Sequence, residues 1–223
     1  MALKLILGLG NPEARYEMTR HNAGFMVAAK LAIKCGANFS FKSDMKSEIC
    51  KTTLKGVGAA KATSSDIVIA RPTTYMNLSG QASTAICRFY KIELEDMLVV
   101  HDDVSLPLGT MRFARGGGAG GQHGVESIIE LTGNRNNFPR LKIGVGPDPG
   151  GALRASYVLS DIPDIDQELY FTVITKAIEA IQVWLSSGIQ QAMNAYNGLD
   201  LRPPATVKQE TESLRQNQSP APD

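Results

Sequence analysis

The sequence predicts an α/β fold: a single domain built on a mixed, mainly parallel β-sheet flanked by helices. Three observations carry this. Short apolar runs bounded by polar or turn residues mark strands buried on both faces. Stretches with apolar residues at helical spacing alternate with those runs, which is the pattern of a parallel sheet with crossover helices. Consecutive strand-like segments between residues 48 and 70 add some antiparallel pairing.

Lys4 to Gly8, Asp66 to Arg71 and Met97 to Asp102 hold the apolar runs LILG, IVIA and MLVV and read as central strands. Phe25, Ala28, Ala29, Ala32 and Ile33 form one helical stripe, and Ala82, Ala85, Ile86 and Phe89 form another. Glu48 to Leu54, Thr110 to Phe113 and Leu141 to Val145 read as further strands, with a helix over Val125 to Leu131. A long helix carrying Phe171, Ile174, Ile178, Ile181 and Leu185 starts after Pro163 and ends at Ser186-Ser187-Gly188. These elements predict one domain over residues 1–199. Residues 200–223 are Pro, Gln, Ser and charge without apolar periodicity, so this stretch reads as a disordered polar tail that cannot offset its own ordering entropy.

The 223 residues are 43% hydrophobic and 20% charged, enough for one substantial core. The first apolar run stops at Gly-Asn-Pro, far short of the roughly 20 residues that cross a bilayer, so it reads as a strand and not as a signal or membrane segment. Three widely spaced cysteines, Cys35, Cys50 and Cys87, imply neither a zinc ribbon nor a disulfide framework and point to a reducing, cytoplasmic setting. Net charge is only +1, but residues 1–160 hold 19 Lys and Arg against 13 Asp and Glu, while the remainder holds 4 against 9. One face can therefore be basic enough for a polyanion, although an ordinary solvated surface explains the counts equally well.

In open parallel sheets, ligands bind outside the carboxyl ends of the strands. Asn11 follows the first run, Asn77 lies after the second and Asp102 ends the third, so three distant polar side chains converge. His21, in Thr19-Arg20-His21-Asn22, falls in the first turn of a helix capped by Thr19. The helix dipole there favours neutral imidazole, while a carboxylate such as Asp102 pulls the other way and fixes the tautomer, which equips His21 as a general base. A capping or surface histidine is the alternative. The run Arg115 to Gly124 is glycine-rich and precedes a helix, a position suited to phosphate contact or to a lid.

Several chemistries are disfavoured. Gly8-Leu9-Gly10 lacks the third glycine of a dinucleotide fingerprint, since Glu13 stands there, and no acidic residue between Glu17 and Asp44 can hold a ribose. No Gly-Lys-Ser/Thr follows the glycine run, Ser79 is outside a nucleophile elbow, and Cys87 lies beside an apolar stripe as a structural thiol. His101-Asp102-Asp103 offers metal ligands, but no second cluster with ligand spacing accompanies it. An activated water fits better than a protein nucleophile.

Five segments together resemble the bacterial-type peptidyl-tRNA hydrolase family over residues 3–197: GLGNPEARYEMTRHNAGF (8–25), RPTTYMNLSG (71–80), VHDDVSLPLG (100–109), the glycine run (116–124) and FPRLKIGVG (138–146). The resemblance implies a monomeric α/β enzyme with a twisted mixed sheet, no metal and no organic cofactor, acting on peptidyl-tRNA. It implies that His21 deprotonates water, that Asp102 orients and stabilises His21, and that Asn11 and Asn77 bind the peptide main chain. It places Tyr16, Tyr75 and Asn77 against the terminal end of the tRNA. The chain departs from the family at Ala119, Gln122 and His123, so that His123 replaces a substrate-binding asparagine, and at Ala114, where a tRNA-binding lysine is common. Two other classes stay open: an RNA-binding splicing cofactor on the same fold, and a metal-dependent hydrolase.

Overall fold

The computed structural model describes residues 3–55 and 64–203. Within these residues seven strands are laid down as β1 (Lys4–Gly8), β2 (Ser40–Lys42), β3 (Ser47–Lys55), β4 (Ser64–Pro72), β5 (Met97–Pro107), β6 (Met111–Ala114) and β7 (Arg140–Gly146). They form one sheet in the order β2-β3-β4-β1-β5-β7-β6. The four central strands are parallel, and the antiparallel pairs β2/β3, β3/β4 and β6/β7 flank them. The mixed sheet and the antiparallel pairing at 48–70 are as the sequence predicts.

Among the described residues, five α-helices accompany the sheet: α1 (Ala23–Lys34), α2 (Ser79–Tyr90), α3 (His123–Leu131), α4 (Leu153–Val158) and α5 (Asp164–Tyr196). Side chains alternate across each strand, so Ile6, Ile69, Leu98 and Val100 face α1 and α5, while Leu5, Leu7, Val68 and Val99 face the side of α2 and α3. Because β1 lies between β4 and β5, the chain winds to one side of β1 and then to the other. The crevice at such a reversal point opens above the carboxyl ends of the strands.

Several elements differ from the sequence reading. Ile33 on α1 and Phe89 on α2 are 78% and 61% exposed; Phe25, Ala28 and Ala32 of the expected α1 stripe are buried, and Val27 and Leu31 join them. On α5 the fully buried Tyr170 takes the inward place expected for Phe171. The α5 helix breaks at Gly188, whose φ of 81° needs a glycine, but the chain resumes helical turns to Tyr196. Strand β2 is wholly exposed and α4 buries no residue, which left neither with an apolar pattern to read. Of the expected polar tail, Asp200 to Pro203 are described: Leu201 N–H donates to Gly109 O at 2.9 Å, and residues 204–223 lie outside the described residues.

Candidate active site

His21 sits not in α1 but in a 3-10 turn, Arg20–Asn22, that feeds it. Thr19 does not cap that turn through its side chain; its hydroxyl donates back to Tyr16 O at 2.8 Å. The turn is fixed from both sides. Arg20, 8% exposed, donates from Nη1 to Ser160 Oγ at 2.6 Å and to Asp161 O at 2.8 Å, and its guanidinium lies over Tyr157 at 4.3 Å. Asn22 accepts from Asn11 N–H at 2.8 Å and donates from Nδ2 to Asn11 O at 3.0 Å, clamping the chain that leaves β1.

Within this frame, His21 Nδ1 lies 3.0 and 2.9 Å from the two carboxylate oxygens of Asp102, and both residues are buried. A proton on Nδ1 is shared with the carboxylate, which leaves Nε2 as the free acceptor of the neutral ring. Burial works against the charged imidazolium, but the charge and hydrogen bond of Asp102 outweigh it and hold the His21 pKa above the ordinary histidine value. Burial likewise works against ionised Asp102; the His21 charge and hydrogen bonds from His21 and Gln122 reverse this and keep its carboxyl below the usual range. His101, pushed down to about 4 by burial, remains neutral beside them, its Nδ1 2.7 Å from Asp102 O.

A cavity of about 570 Å³ opens above this pair, lined by Asn11, His21, Tyr75, Asn77, Asp102 and His123 among others, with α4 on its far side. Met76 N–H donates to Asn11 Oδ1 at 3.0 Å, which fixes the amide so that Nδ2 is the group left for a ligand. Asn77 is exposed in the 3-10 turn Met76–Leu78, and Tyr75, 55% exposed, donates from its hydroxyl to Glu13 Oε1 at 2.6 Å at the rim. Tyr16 does not line the cavity; its ring lies under the Arg15 guanidinium at 4.7 Å. His123 is exposed at the first position of α3 and borders the cavity.

Two basic residues of β7 are engaged within the fold. Arg140 is 1% exposed, and its guanidinium donates to Gly118 O at 2.6 Å and Gly117 O at 2.5 Å, holding the base of the glycine run. Lys142 pairs with Asp103 at 2.8 Å. Sequence reasoning also missed the place of Gln122, which is 6% exposed and donates from Nε2 to Asp102 Oδ1 at 3.0 Å. Among the described residues, no three His, Cys, Asp or Glu side chains are arranged to hold a metal ion.

Fold and site together define an α/β protein with a histidine–carboxylate pair at the reversal point of its sheet, the equipment of a hydrolase that activates water. The peptidyl-tRNA hydrolase family model matches residues 5–204. A peptidyl-tRNA hydrolase from Elusimicrobium minutum is 44% identical over 195 residues, covering 87% of this chain and 99% of the relative. One from Haemophilus influenzae is 36% identical over 199 residues, covering 89% and 98%. The crystal structure of peptidyl-tRNA hydrolase from Acinetobacter baumannii superposes with a TM-score of 0.79 at 32% identity, over 90% of this chain and 97% of that one. The chain belongs to the peptidyl-tRNA hydrolase family.

Proposed function

We propose that this protein hydrolyses the ester joining an N-blocked peptide to the 3′-terminal ribose of tRNA, with water as the nucleophile and His21 as the base. The observation that carries the reading is the His21–Asp102 pair, with Nδ1 committed to the carboxylate and Nε2 facing the cavity. Nε2 takes a proton from water as the oxygen attacks the ester carbonyl. The imidazolium so formed is stabilised by Asp102, and returning its proton to the departing ribose oxygen restores the base. The exposed amide of Asn77 is suited to donate to the carbonyl oxygen as negative charge develops there.

Asn11 supplies discrimination. With Oδ1 occupied by Met76 N–H, its remaining Nδ2 donor suits a peptide carbonyl. A free aminoacyl group brings a cation in place of that acceptor and leaves the buried amide unpaired, at a cost of about 1–3 kcal/mol. Tyr75 and His123 border the cavity and are assigned to the tRNA end and to the substrate respectively; Tyr16, set back from the opening, is assigned an outer tRNA contact.

Residues 1–199 form the proposed catalytic domain and the remaining polar stretch its tail. A monomeric, cytoplasmic protein is the accompanying proposal. The free cysteines suit the cytoplasmic setting, burial pushing the Cys50 and Cys87 thiols up to about 11 and leaving them unreactive. Among the described residues no helix is long and apolar enough to cross a membrane.

The test is incubation with an N-acetylated aminoacyl-tRNA and with its unblocked counterpart, with and without a chelator, scoring released tRNA. Faster turnover of the blocked ester, unchanged by chelation, is expected. Release that depends on metal, or no release at all, refutes the reading.

A further inference from the structure

The glycine run and the catalytic pair meet in a single side chain. Gln122 is the N-cap of α3: its Oε1 accepts from Gly124 N–H at 2.7 Å and from Val125 N–H at 3.0 Å. Two backbone donors fix which end of the amide is oxygen, so Nε2 necessarily faces Asp102 Oδ1, 3.0 Å away. The cap is closely fitted, since a Cβ on Gly124 would lie 3.0 Å from Gln122 Oε1 and 2.6 Å from Met76 Sδ. Among the described residues, hydrogen bonds to the Asp102 carboxylate come from His21 and Gln122.

We infer that Gln122 is a positioning residue for the reaction, one amide that caps α3 with its oxygen and holds the Asp102 carboxylate with its nitrogen. The inference rests on His21 acting as the base. The carboxylate, pinned by Gln122 from one side, presents both oxygens to Nδ1 and fixes the plane of the imidazole and therefore the aim of Nε2. An amide does not titrate, so it holds the carboxylate in the same way across the working pH range. The same amide also ties Asp102 to the start of α3, where His123 borders the cavity. A displacement of the glycine run that moves the α3 N-terminus is thereby passed to the catalytic pair.

Two substitutions separate capping from positioning. Gln122→Glu keeps oxygen acceptors for Gly124 and Val125 at a helix N-terminus that favours a carboxylate, but turns a like charge toward Asp102. Melting temperature should stay near that of the parent. The acid limb of kcat should move to higher pH, because a second carboxylate stabilises the imidazolium, and kcat at neutral pH should fall with little change in KM. Gln122→Met removes both interactions at similar length and should lower kcat roughly 10- to 100-fold, the scale of one hydrogen bond to a buried charge. A parental pH profile and kcat in Gln122→Glu, or a parental kcat in Gln122→Met should the first variant not fold, overturns the assignment. His21→Ala is measured alongside: activity retained there overturns the mechanism itself, whereas loss there with an unaltered Gln122→Glu overturns only the role of Gln122.

Discussion

Gly8 and Gly24 meet where α1 crosses the end of β1, so closely that a Cβ on Gly8 would lie 2.2 Å from Gly24 O. A Cβ on Gly24 would lie 2.2 Å from Val100 O and 2.3 Å from Leu9 N. This close approach brings the turn carrying His21 down onto β5 and so onto Asp102. Gly24→Ala must push α1 off the sheet, since every obstructing atom belongs to backbone. Its expected cost is about 1–3 kcal/mol of overpacking, read by chemical denaturation. Any folded fraction should show reduced kcat because His21 moves with the helix. Parental stability and activity in this variant would mean that the helix start is not what sets the pair.

The pair also fixes a pH dependence with opposite signs for activity and stability. As the proposed base, His21 must be neutral, and Asp102 holds its pKa above the ordinary histidine value, so kcat should rise with pH through that elevated pKa and then level. Stability runs the other way for His21: a raised folded pKa contributes below the unfolded value, and the contribution is lost as pH rises through the folded one. Asp102, held low, contributes above its unfolded pKa and loses this as pH falls through its folded value. In Asp102→Asn the attraction is gone and burial dominates, so the acid limb should shift to lower pH while the plateau of kcat falls. A pH–rate series on both proteins measures this directly; an acid limb that stays in place would detach Asp102 from His21.

Phosphate binding should divide among the arginines by exposure. Arg112 and Arg115 are exposed, whereas Arg140 is buried against the glycine run. Removing either exposed arginine should lower the dependence of log affinity on log salt by roughly 0.9 for each phosphate that is no longer neutralised. Arg140→Met should leave that slope unchanged and instead destabilise the fold by about 1–3 kcal/mol, through unpaired carbonyls at Gly117 and Gly118. Titration of tRNA binding at several salt concentrations, with a denaturation curve for each variant, distinguishes the two roles. A reduced slope in Arg140→Met would contradict the division.

The central strands were legible because burial on both faces writes an unbroken apolar run, and the reversal-point rule then brought Asn11, Asn77 and Asp102 to one crevice. His21 was legible as a base candidate because histidine is scarce and this one stands beside a helix start. The partners that fix these residues were not legible. Asn22 clamps the Asn11 backbone, Arg20 ties the His21 turn to the end of α4, and Gln122 reaches Asp102 across 20 positions, all through packing that no local pattern records. The place of Arg140 was not legible either, because its partners are backbone carbonyls, which leave no trace in residue identity. Ile33 and Phe89 kept helical spacing yet point to solvent, since the apolar stripe of each helix is wider than the face the sheet covers.

The central claim is that His21 delivers the attacking water and does little to hold the substrate. Single-turnover hydrolysis of an N-blocked peptidyl-tRNA by His21→Ala, with tRNA affinity measured on the same preparation, tests it most directly. The account predicts a rate lower by roughly 10²- to 10⁴-fold with affinity almost unchanged, because the base acts in the transition state and not in the ground state. A near-parental rate, or a loss carried mainly by affinity, would contradict it.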